Sequence, residues 1–128
     1  MQRSIEILTG LSYLIIGLSH MFQPQAWVSF FIHLRNKGEI AGFLIAFIHL
    51  PLGLLIAAFH NVWSFPEVIV TLVGWSLTLK SALYFLFPRL AQRVIGRIAR
   101  DRAWEFQIAG AFAIVLSATS FWIASLTG

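Results

Sequence analysis

Four apolar stretches, near residues 5–22, 40–60, 68–87 and 107–125, each have the length of a membrane-crossing helix, and together they occupy most of a 128-residue chain. Crossing the hydrocarbon core of a bilayer takes about 20 apolar residues in a helix, which satisfies its own backbone hydrogen bonds there. The expected fold is therefore an all-α integral membrane protein. Residues 1–128 form one transmembrane domain, an antiparallel four-helix bundle. Composition agrees, with 59% hydrophobic and 11% charged residues, far from the balance of a soluble domain. The first stretch runs into Gln23-Pro24-Gln25-Ala26-Trp27 without a small-x-small cleavage signal, and reads as a retained helix rather than a signal peptide. With no cysteine, the chain has no disulfide, thiolate nucleophile or cysteine-held metal of its own.

The net charge of +4 gains meaning once it is placed on the connections. Arg35 and Lys37 lie in the first, and Arg89, Arg93, Arg97, Arg100 and Arg102 in the third; the second, from Asn61 to Pro66, has no lysine or arginine. By the positive-inside rule the first and third connections face the cytoplasm and both termini lie outside it, with Arg3 the one opposing charge. The expected location is a bacterial cytoplasmic (inner) membrane, crossed several times. The basic excess serves orientation, and no nucleic-acid partner is expected.

Comparing the chain with itself suggests a repeat. At an offset of 64 residues, Leu8, Gly10, Ser12 and Pro24 fall on Leu72, Gly74, Ser76 and Pro88; at an offset of 68, Ile40-Ala41-Gly42 falls on Ile108-Ala109-Gly110. Two repeated helical hairpins, 1–63 and 64–128, are the expected units, related by a pseudo-two-fold axis along the membrane normal.

The basic connections carry patterns of their own. From Gln25 to Asn36, Trp27, Phe30, Phe31 and Leu34 share one helical side while Gln25, Ser29, His33 and Asn36 share the other. From Arg89 to Arg100, arginines cluster opposite Leu90, Val94, Ile95 and Ile98. Both segments are expected to be cytoplasmic interfacial helices. Arg89, Arg93, Arg97, Arg100 and Arg102 are candidates for binding anionic lipid phosphates or an acidic partner, at about 1 kcal/mol of surface attraction for each basic residue. Topology and anchoring account for the same residues more simply.

Lys80 is the most conspicuous polar residue within a span, lying eight residues before Pro88, or about 12 Å of helical rise. At that depth it must snorkel to the interface or face a partner or water inside the bundle. His49 is its best match in depth, and the two would suit an anionic headgroup or proton-coupled movement. His20 lies near the basic end of the first span, and its depth differs from that of His49, so no haem pair within the chain is expected. No HExxH or carboxylate cluster marks a metal site, and no cofactor is expected. At the opposite end, Glu6, His60, Asn61, Trp63 and Glu67 belong to elements that meet there. Glu6 and His60 form a candidate proton-sensitive pair, while Trp63 as an anchor and Pro66-Glu67 as a helix start are the plainer readings. The scattered serines and threonines have no acid-base partner, and an enzyme is not favoured.

Residues Leu11 to Trp27, His60-Asn61-Val62-Trp63, and Gly74-Trp75 through Lys80 to Pro88 resemble a class of small four-span bacterial membrane proteins, similar in overall plan to the broader DoxX-like group. The resemblance implies four spans and carries over no activity. Gly10, Gly17, Gly42, Gly74 and Gly110 offer close-packing edges to other helices or subunits. The leading expectation is a non-enzymatic interaction or accessory subunit in a homo- or hetero-oligomer among anionic lipids. The alternatives are a homo-oligomeric transporter of a small or proton-coupled solute and an anionic-lipid-binding or lipid-modifying protein.

Overall fold

A computed structural model describes residues 1–128 as six α-helices and one short 3-10 turn. Four helices are long and apolar: α1 (Gln2–Phe22), α3 (Ile40–Phe59), α4 (Val68–Leu86) and α6 (Trp104–Leu126). They reproduce the four expected stretches to within a few residues. Two shorter helices, α2 (Pro24–Arg35) and α5 (Pro88–Ile95), follow α1 and α4. Pro24 and Pro88 explain both breaks: proline cannot continue the preceding helix, and its fixed φ suits the first turn of the next.

The long helices pair antiparallel. α1 packs chiefly on α6 and α3 on α4, and the direct contact between α1 and α3 is slight. Close approach of the backbones sets both pairs. A Cβ on Gly17 would stand 2.9 Å from the Gly110 carbonyl oxygen, and one on Gly110 would stand 2.7 Å from the Gly17 carbonyl oxygen. In the second pair, a Cβ on Gly53 would stand 2.8 Å from the Thr78 nitrogen, and Gly74 faces the Ile56 side chain. Only glycine leaves room for helices this near. Both pairings cross the boundary between residues 63 and 64. A two-fold exchanging the two halves would carry the α1–α6 pair onto the α4–α3 pair.

The short helices close one end, called here the arginine end; the other is the Glu6 end. A core of Leu34, Ala41, Ile45, Ala46, Tyr84, Ala91 and Ile95 lies beneath α2 and α5. The arginine spacing predicts a helix running to Arg100, but α5 stops at Ile95. A turn at Gly96 and an extended Ala99 bring the chain back, so that the Ile98 carbonyl meets Arg35 at 3.0 Å and Arg100 meets the Ser29 hydroxyl at 3.1 Å. These tertiary contacts outweigh the helical pattern of the arginines. The buried face of α5 is Ala91 and Ile95, while Leu90 and Val94 point outward.

Candidate functional site

Three polar regions are set by this frame. At the Glu6 end, the end of α3 turns His60 inward while α1 presents Glu6 and the first turns of α4 present Thr71. His60 Nε2 lies 2.9 Å from Glu6 Oε1, and His60 Nδ1 lies 2.9 Å from the Thr71 hydroxyl. All three residues are 0% exposed. Thr71 also ties down the connection, donating to the Val62 carbonyl at 2.9 Å and accepting the Val62 N–H at 3.1 Å. Gln2 donates to Glu6 Oε1 at 3.2 Å, and Glu6 Oε2 is the one buried side-chain polar atom without a hydrogen-bond partner.

Hydroxyl, imidazole and carboxylate in that order are the parts of a nucleophilic triad. Here the hydroxyl is fully buried and engaged by both backbone groups of Val62, so no substrate carbonyl can reach it. The array holds α1, the α3–α4 connection and α4 together. Of the other residues expected in this cluster, Asn61 accepts a hydrogen bond from the Trp75 indole at 2.9 Å and donates to the Ala57 carbonyl. Trp63 projects outward at 62% exposure, and Glu67 occupies the N-cap position of α4 without an ion pair.

The second region is a groove of about 380 Å³ between the two helix pairs. Tyr13 of α1, Phe112 and Leu116 of α6, and the α4 residues Ile69, Leu72, Val73, Ser76, Leu77 and Lys80 line it. Its walls are apolar toward the Glu6 end, and the Lys80 ammonium stands toward the arginine end. That ammonium lies 5.7 Å from the centre of the Tyr84 ring, a cation–π contact, and no carboxylate pairs with it. His49 Nδ1 contacts the Ile45 carbonyl of its own helix at 2.8 Å, and no hydrogen bond joins His49 to Lys80. His20 belongs to neither region. It stacks on Trp27 at 4.2 Å and lies 5.6 Å from Phe106, which docks α2 on α1 and α6.

The third region is the arginine end. Arg89 meets Glu39 at 3.2 Å, Arg102 meets Glu105 at 3.1 Å, and Arg100 meets Ser29. The Arg93 and Arg97 side chains are exposed. No group of three or more His, Cys, Asp or Glu side chains converges as a metal site would require.

Thr71, Gln2 and Tyr13 were not singled out in the sequence, and Ser76 was named only for the repeat and among the scattered hydroxyls. Hydroxyl residues are ordinary packing material in apolar helices, and the useful signal was positional: Thr71 lies one turn inside a helix whose preceding connection begins with His60.

No protein-family model, curated protein or solved structure matches this chain.

Proposed function

We propose that this is a four-span integral membrane protein that binds an anionic membrane amphiphile in the groove between its two helix pairs, with Lys80 taking the headgroup. Membrane placement is supported by the outward faces of the long helices, where Ile15, Phe47, Ile48, Leu79 and Val115 are each exposed. Apolar surface of that extent is unsuited to water. The basic residues Arg35, Lys37 and the five arginines from Arg89 to Arg102 support an orientation with the arginine end on the cytoplasmic side of a bacterial inner membrane. On that orientation both termini lie outside.

The observation that carries the binding reading is Lys80: an ammonium with no carboxylate partner, at one end of an apolar groove. The groove has an amphiphile's polarity, with tail toward Ile69 and head toward Lys80. Its volume falls in the range of small-molecule sites, about 300–1,000 Å³, and Tyr13 and Ser76 add hydroxyls along the way.

The accessory-subunit reading draws less support, because the glycines that would face a partner meet the chain's own helices. Gly10 faces Phe121, Gly17 faces Gly110, Gly42 faces Pro88 and Gly74 faces Ile56. A transport route from His60 to His49 would have to pass Ile56 and Gly53, both buried against α4.

Native mass spectrometry of protein reconstituted in nanodiscs of mixed phosphatidylglycerol and phosphatidylcholine tests the proposal. Wild type retains phosphatidylglycerol in preference. Lys80→Met removes the preference, and Leu116→Trp, which fills the groove without changing charge, removes the lipid. Retention unchanged in both variants and lost in Arg93→Ala/Arg97→Ala would sink the groove and move binding to the arginine surface. A stable complex with a second protein, on gentle extraction with native lipids, would restore the accessory reading.

A further inference from the structure

The hydrogen bonds at the Glu6 end determine a protonation pattern. A threonine hydroxyl has one proton to give and two lone pairs to accept with. Thr71 gives its proton to the Val62 carbonyl and accepts the Val62 N–H. His60 Nδ1, 2.9 Å from the same oxygen, must then be the donor in that contact. In a neutral imidazole this leaves Nε2 as a bare lone pair, and it lies 2.9 Å from Glu6 Oε1. Two lone pairs at that distance repel. One proton between them makes a hydrogen bond, whichever atom it is nearer.

We propose that Glu6 and His60 form a buried one-proton site, in which a single shared proton between Oε1 and Nε2 ties α1 to the α3–α4 connection. The site is neutral overall with this proton in place. Without it, a negative charge would rest on a fully buried carboxylate whose Oε2 has no partner, a costly arrangement in an apolar setting. A second proton would leave a net positive charge there.

The surroundings offer no compensating charge. Gln2 of α1 and Thr71 of α4 are the polar neighbours, and Ile5, Ile56, Val70 and Ile123 form the adjoining apolar cluster. Arg3, the amino terminus and Glu67 belong to the same end, but none forms an ion pair with the site. The one other ionisable side chain of α3 besides the terminal His60 is His49, and that of α6 is Glu105 at the opposite end.

Nitrogen-15 NMR of His60, compared between wild type and Glu6→Gln in mild detergent, gives the test. The glutamine amide donates to Nε2 and has no proton to share, so Nε2 changes from sharing a proton with a carboxyl group in the wild type to accepting one from an amide in the variant. The same Nε2 signal in both proteins would overturn the proposal.

Should Glu6→Gln fail to fold, nitrogen-15 NMR of His60 in the wild type decides the matter. The expected result is Nδ1 protonated, with Nε2 sharing its proton with a carboxyl group. An unprotonated Nδ1 would refute the site.

Discussion

At the Glu6 end, Glu6 and His60 meet at 2.9 Å with neither side chain exposed; at the arginine end, Arg89 and Glu39 meet at 3.2 Å with 84% and 55% of their side chains open. The two contacts are nearly equal in length and opposite in surroundings. Water at the arginine end solvates either partner alone, so that pair adds little when it forms and costs little when it breaks. At the Glu6 end each partner is the other's main source of solvation. Lys80 is exposed like the arginine-end pair, but it has no carboxylate partner and stands beside a groove. Burial, more than distance, separates a structural pair from a surface pair and from a group open to a ligand.

The largest expected effect comes from removing one buried partner. His60→Leu leaves the Glu6 carboxyl buried with its imidazole gone and costs about 3–5 kcal/mol, read from reversible unfolding in mild detergent. Replacing both Glu6 and His60 by leucine should cost less than the sum of the two single changes, because no orphaned charge remains. Strict additivity would show that the pair is not coupled and would break the contrast between the two ends.

A smaller loss is expected where the helix pairs touch. Gly17→Ala places a methyl group against the Gly110 carbonyl, and Gly74→Ala places one against Ile56. Overpacking of this kind costs about 1–3 kcal/mol. If a two-fold exchanging the halves relates the two pairs, the two losses should be similar; a much larger loss at one would show that the pairs differ in how they hold together.

The four long helices were legible because hydrophobic length is a strong signal and because Pro24 and Pro88 mark the breaks. Which faces turn inward was not legible. In a helix that is apolar all round, Ile56 and Ile48 look alike, yet one is fully buried and the other is 60% exposed. Glu6 and His60 were brought to one end by counting helices, but burial and the Thr71 contact depend on how the α3–α4 connection folds. The small-residue edges of α1 and α4 were visible, while their partners, α6 and α3 of the same chain, were not. At α5 the arginine spacing suggested a longer helix than forms, since contacts from Arg35 and Ser29 stop it.

Lys80→Met should leave stability within about 1 kcal/mol of wild type, the range of an exposed cation–π contact, while removing the preference for anionic lipid. That division is the signature of a group open to a ligand. A loss comparable with that of His60→Leu would instead place Lys80 among the structural residues and remove the reason for giving it a headgroup.

The smallest effect is assigned to Arg89 and Glu39. A double-mutant cycle with Arg89→Ala and Glu39→Ala should return a coupling of about 0.2–1 kcal/mol, the usual value for an exposed pair, and added salt should reduce it further. The same cycle on Glu6 and His60 should be larger and nearly insensitive to salt, since mobile ions do not reach groups of zero exposure. Equal salt sensitivity at the two sites would mean that water reaches Glu6, and the closed character assigned to that end would be lost. A strong, salt-resistant coupling at Arg89 would mean the reverse: α5 and the start of α3 would be held by their charges, and the arginine end would need a structural role beyond the one its exposure suggests.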